Sequence, residues 1–140
     1  VPGGAVTVDE ARVLVERIDR LVRTRVTLHD AVSAAYRAAS AKAPTDPMLA
    51  DRLDFGRAAL REQVELQFSN ELDQLDPQVR PLRVSAMELL TGIESIDGLR
   101  NLRGLSARAT QAVLRDALGA LLRSTSTTHE NDTTTEERHG

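Results

Sequence analysis

The feature that most constrains this chain is the spacing of its apolar residues, which recur every three or four positions from Ala11 to Leu122 and nowhere alternate. A period near 3.6 places such residues on one face of a helix, whereas a half-buried strand needs a period of two. The chain is therefore expected to be all-α. Its 140 residues suffice for one domain with a core of its own. With 41% hydrophobic and 28% charged residues, it has the composition of a chain that folds.

Capping signals divide the pattern into five helices forming a bundle-like domain. Thr7 and Glu10 form a capping box ahead of a stripe of Ala11, Leu14, Val15, Ile18, Leu21 and Val22. Thr27 and Asp30 repeat the device ahead of Leu28, Ala31, Val32, Ala35, Tyr36 and Ala39, which predicts a second helix fading into the Pro44 to Pro47 loop. Asp46 followed by Pro47 starts a long third helix through Leu49, Leu53, Leu60, Val64, Phe68, Leu72 and Leu75, with Gly56 its one weak point. Asp76 and Pro77 open a fourth, regular only after Arg80, whose apolar face is Leu82, Ala86, Leu89, Ile93 and Ile96. Met87 and Leu90 spill onto a neighbouring face, so two partners are expected to share this helix.

Gly104 falls where a helix end needs a left-handed residue, and Ser106 caps a fifth helix from about Ala107 to Arg123. That helix is apolar nearly all round. Ala109, Ala112, Val113, Ala117, Ala120 and Leu121 line one side, and Leu114, Leu118 and Leu122 cover much of the rest. Residues 1–123 are thus read as one helical domain. Residues 124–140 have no apolar side chain with which to join a core and are read as a disordered polar tail.

Several classes of chemistry are excluded. There is no cysteine, which removes disulfides, thiolate metal sites and a Cys nucleophile, and fits a reducing, cytoplasmic setting. No run approaches the roughly 20 apolar residues of a membrane span. The last 17 residues hold four acids and one arginine, which accounts for the whole formal charge of −3. A neutral body with three aromatics, Tyr36, Phe55 and Phe68, offers neither the positive field nor the stacking surface of a nucleic-acid binder. Of the histidines, only His29 lies in the body, so no Ser-His-Asp or Glu-x-x-His set can be built there. Glycines do not cluster into a phosphate loop. Neither metal nor cofactor is expected, and no enzyme.

Gln63 and Gln67 stand one helical turn apart beside the stripe of Leu60, Val64 and Phe68. They either face a cavity, where amides and the Tyr36 phenol would orient an apolar ligand, or sit at the stripe's edge and bond to water.

From Leu89-Leu90-Thr91-Gly92-Ile93-Glu94-Ser95-Ile96-Asp97-Gly98-Leu99-Arg100, through Arg103-Gly104-Leu105-Ser106, to Ala112-Val113-Leu114, the chain resembles the closing helix pair of TetR-type transcriptional repressors. The shared order is a leucine-rich helix with a central Glu, an Arg-rich exit, a Gly-Leu-Ser turn and a last helix with an Ala-Val-Leu core. It covers about a quarter of the chain. Ile96 departs from it where an aromatic is common, as does Ala109 where an acid would complete a capping box with Ser106.

The resemblance implies a regulatory domain that binds a small apolar effector in its interior. It also implies dimerisation through the last two helices. The expected ligand lining, between the second, third and fourth helices, is Tyr36, Leu60, Gln63, Val64, Gln67, Phe68 and Leu89. The expected homodimer interface is Met87, Leu90, Glu94, Ala109, Val113, Ala117 and Ala120. The helix-turn-helix of that family has no counterpart in Val8 to Val26, so this segment is not expected to bind DNA directly. The chain opens at Val1 rather than Met, which leaves open a piece of a longer repressor or a natural truncation. The rival reading is a helical homodimeric interaction or scaffold domain with a filled core and no ligand.

Overall fold

The computed structural model describes residues 7–123, and the tail read as disordered lies outside them. Six α-helices form the described chain, and no strand occurs among these residues: α1 Val8–Lys42, α2 Pro47–Gln67, α3 Ser69–Leu72, α4 Arg80–Thr91, α5 Ile93–Asp97 and α6 Ala107–Arg123. A 3₁₀ turn, Ala43–Thr45, links α1 to α2, and a π turn, Gly98–Leu102, follows α5.

The five expected helices are corrected in three places. The first two are one helix of 35 residues, because no glycine or proline interrupts 24–30 and the Thr27–Asp30 capping box does not form. Asp30 instead accepts from Arg100 at 3.1 and 3.0 Å. The third stops at Gln67, and Phe68 (φ −115°, ψ 23°) separates it from the single turn of α3. The fourth breaks at Gly92, whose ψ of 156° ends α4 and starts α5. A Cβ on Gly92 would come within 3.3 Å of the Glu88 carbonyl oxygen, closer than most side chains tolerate.

Other capping signals are realised as read. Thr7 and Glu10 close their reciprocal box, Asp46 Oδ1 accepts from Leu49 N at 3.2 Å, and Ser106 Oγ accepts from Ala109 N at 3.0 Å. Gly104 takes φ +68°, a conformation that costs a side-chain-bearing residue about 1–2 kcal/mol.

Helices α1, α2, α4 and α6 pack as a ring of neighbours, and α5 closes against α1 and α4. The core contains Ile18, Leu21, Val22 and Val26 from α1, Val64 and Phe68 from the end of α2, Val84 and Met87 from α4, and Leu114, Leu118 and Leu122 from α6. α4 is turned from the expected face. Its buried positions are Val84, Met87 and Thr91, one turn apart, while Leu82 and Leu89 are both 71% exposed.

Arginines fix the register of the ring. Arg17 donates to Gln67 O at 2.7 Å and pairs with Glu71, Arg61 bridges Glu65 (3.1 Å) and Glu88 (2.6 Å), and Arg115 reaches Asp19 at 3.1 Å. Buried His29 ties α1 to α5, with Nδ1 3.0 Å from Asp30 Oδ1 and Nε2 2.9 Å from Asp97 Oδ1.

The hydrogen bond to His29 holds the Asp97 carboxyl below the ordinary aspartate range, against an opposing push from burial. Asp97 therefore stabilises the fold fully above its unfolded pKa of about 3.9, and this contribution is lost as pH falls through the lower folded value. Thermal melts between about pH 7 and pH 2.5 should show the native protein more stable than Asp97→Asn at neutrality, with the gap closing below about pH 4. A gap that stays constant with pH would refute this linkage.

Candidate functional site

α1 is about 52 Å long and α6 about 26 Å, from 35 and 17 residues at 1.5 Å each. Arg115 on Asp19 places the middle of α6 beside the first half of α1, and Arg100 on Asp30 marks where the chain turns into α6. Beyond that point α1 is joined to α2 and α5, through Tyr36 to Arg57 and Glu94 and through Arg37 to Asp97. A cavity of about 630 Å³ opens there, bounded by α1, α2, α4 and α5.

Each wall follows from helical spacing. α1 contributes Arg25, Leu28, Val32 and Tyr36, and α2 contributes Arg52, Leu53, Gly56, Arg57 and Leu60. Ser85, Glu88, Leu89 and Thr91 come from α4, followed by Gly92 at the break and Ile93, Glu94 and Ser95 from α5. The aliphatic members form an apolar trough. Gly56 keeps one side open, since a Cβ there would meet nothing within 4 Å. A smaller cleft of about 270 Å³ lies against the Ala43–Thr45 turn, where the Ser40 hydroxyl is buried without a partner.

Polar groups stand at both ends of the trough. At one end Tyr36, Arg57 and Glu94 form a triad: the Tyr36 hydroxyl donates to Glu94 Oε1, and Arg57 Nη2 donates to Tyr36 Oη at 3.0 Å and Glu94 Oε1 at 3.2 Å. Burial pushes the Glu94 carboxyl up, but hydrogen bonds from Tyr36, its own backbone and Arg57 outweigh it and hold the group below the usual range. Burial, then the bond to Glu94, raises the Tyr36 phenol. At the other end lies Arg25, buried at 2% exposure. It donates to Leu60 O at 2.9 Å, Gln63 Oε1 at 3.1 Å and Thr91 O at 3.3 Å.

Three of the seven expected lining residues, Tyr36, Leu60 and Leu89, are in the cavity wall. Val64 and Phe68 belong to the core instead, because the α2 stripe passes from the cavity into the four-helix section between Leu60 and Val64. Gln63 is exposed and accepts from Arg25 behind the wall. Gln67 lies beside α1, where its backbone carbonyl meets Arg17 and its side-chain Oε1 is buried without a partner.

Two of the expected interface residues are likewise elsewhere. Met87 is fully buried, and Glu94 is committed to the triad at the cavity end. Leu90, Ala109 and Ala117 are half-buried, and Val113 and Ala120 are exposed.

Sequence reasoning missed Arg25, Arg57 and Gly56. The signal for Arg25 was present, since it is the charged position one turn before Leu28 on the stripe of Leu21, Val22 and Val26. Among the described residues no cluster of His, Asp and Glu has the makings of a metal site, and no helix is long and apolar enough to cross a membrane. No family model, curated protein or solved structure matches the chain.

Tyr36→Phe removes a donor to Glu94 and should raise the Glu94 pKa toward that of a free glutamate. Carboxyl carbon titration by NMR reads this directly. An unchanged Glu94 midpoint would mean that Arg57 and the backbone suffice.

Proposed function

We propose that the chain is the effector-sensing and dimerising part of a TetR-like transcriptional regulator. The observation that carries the reading is the trough itself, an apolar cavity within the size range of small-molecule sites with polar groups at its ends. A scaffold domain has no use for such a space, and its core would be expected to close. In this reading DNA contact is made by sequence other than these 140 residues, and the chain catalyses no reaction.

Dimerisation enters through the outward sides of α4 and α6, which are neighbours. Leu82, Val113 and Ala120 are exposed, and Leu90, Ala109 and Ala117 are half-buried. Ala109, Ala117 and Ala120 on α6 let a second helix approach closely around Val113, and pairing two such faces across a two-fold axis makes a four-helix bundle. Met87 and Glu94 have no part in that face.

Two measurements test the reading. Light scattering at micromolar concentration should give the mass of a dimer, and Val113→Arg should give a monomer with unchanged helical circular dichroism. A monomeric native protein would overturn the dimer. Nile red, a neutral apolar dye, should bind saturably to the native chain and lose its fluorescence gain in Gly56→Trp, whose indole fills the trough. Dye binding unaffected by Gly56→Trp would place it outside the cavity and remove the support for sensing.

A further inference from the structure

Arg25 is a charge without a counter-charge. All three of its hydrogen-bond partners are neutral oxygens, and it forms no ion pair with any described residue. Its Nε is buried with no partner at all. The acids of the same wall are engaged elsewhere, Glu88 by Arg61 and Glu94 by Tyr36 and Arg57. Taking a guanidinium out of water is costly unless an anion and further hydrogen bonds compensate it. Here the carbonyls of Leu60 and Thr91 compensate only in part. Burial pushes the Arg25 pKa down, and no anion acts in the other direction.

The rest of the wall indicates what shape that anion has. From Arg25 the α1 positions facing the cavity run through Leu28 and Val32 to Tyr36, about 16 Å along the helix axis. Leu53, Leu60, Leu89 and Ile93 flank this row. Tyr36 is the one aromatic in the wall, and its hydroxyl is already bonded to Glu94. The space is long and largely aliphatic, with the buried Arg25 at one end and the Arg57–Glu94 pair at the other, and with Arg52 also in the wall.

We infer that the cavity takes an aliphatic monocarboxylate, with its carboxylate on Arg25 and its chain lying along Leu28 and Val32 toward Tyr36. The inference rests on the sensing reading above and gives that site its ligand class. A guanidinium fork suits a carboxylate in two-point contact. At the far end Glu94 is already paired with Arg57 and bonded to Tyr36, whereas Arg25 has no anion, which places the carboxylate at Arg25.

Isothermal titration of the full chain with n-decanoate, n-decanol and 1-naphthoate, each below its micellar concentration, tests this. Decanoate should bind saturably and about tenfold or more tighter than decanol, the worth of a charge-assisted hydrogen bond. Arg25→Met should erase that preference, and Arg25→Lys should keep part of it. Equal affinity for decanoate and decanol would overturn the carboxylate assignment and leave the sensing reading standing. Tighter binding of naphthoate than decanoate would overturn the aliphatic assignment. No binding of any probe to the native chain would overturn the sensing reading itself. The comparison of acid with alcohol needs only native protein, so it decides the matter even if Arg25→Met fails to fold.

Discussion

One unbroken helix of about 52 Å beside another half as long sets the form of this protein. Over the first half of α1 four helices surround a common axis, and their stripes interdigitate into a filled core. Over the second half α6 has ended, and α2 with the short α5 cannot enclose the same volume. The apolar stripe of α1 does not stop where the core stops. It continues as Leu28, Val32 and Tyr36, which face the cavity instead of the core. A filled section and a hollow section are thus consecutive stretches of the same helical face.

What holds the two sections in register is a set of arginines, each spanning a pair of elements: Arg17 to α3, Arg25 to α2 and α4, Arg61 to α4, Arg100 back to α1, and Arg115 from α6 to α1. Most of these pairs are partly exposed, and such pairs contribute little net stability each. Their value is directional. A ring of apolar stripes, rich in alanine and leucine, packs acceptably at more than one axial offset, and a planar fork that must meet a given carboxylate or carbonyl excludes most offsets. Arg25 does this at the junction of the two sections, where its bond to Thr91 O also places a cation near the C-terminal end of α4.

The sequence made the helix class legible because helical periodicity needs only local information. The caps at Thr7, Asp46 and Ser106 and the left-handed Gly104 are likewise local, and they stand where they were expected. The false boundary at Thr27 shows the limit of the same reasoning. A capping box is a pattern of residue types, but helix continuation is decided by whether anything stops it, and nothing between Thr24 and Asp30 does. Asp30 looked like a cap because it is acidic; its partners, Arg100 and His29, include one seventy residues away in sequence. The candidate site failed to be legible for a related reason. Leu60 and Val64 are one turn apart on one stripe, yet one faces the cavity and the other the core, a difference that only tertiary packing sets.

α4 borders the core, the cavity and the solvent. The sequence pattern gives α4 one face of Leu82, Ala86 and Leu89 and another of Met87 and Leu90, and the fold sorts these residues differently. Val84, Met87 and Thr91 enter the core, Ser85, Glu88 and Leu89 face the cavity, and Leu82 points away from both. A helix of twelve residues serving three environments cannot present a single clean stripe, so periodicity alone could not say which apolar side chain belonged to which. Packing resolves it. Burial of Met87 and Val84 sets the rotation of α4, and in that rotation Glu88 meets Arg61 of α2 and Leu89 lies over the trough. The break at Gly92 then lets α5 swing across the open end, carrying Glu94 to Tyr36 and Asp97 to His29. The glycine break, inconspicuous in a hydrophobicity pattern, thus sets where α5 lies across the end that the shorter α6 leaves open.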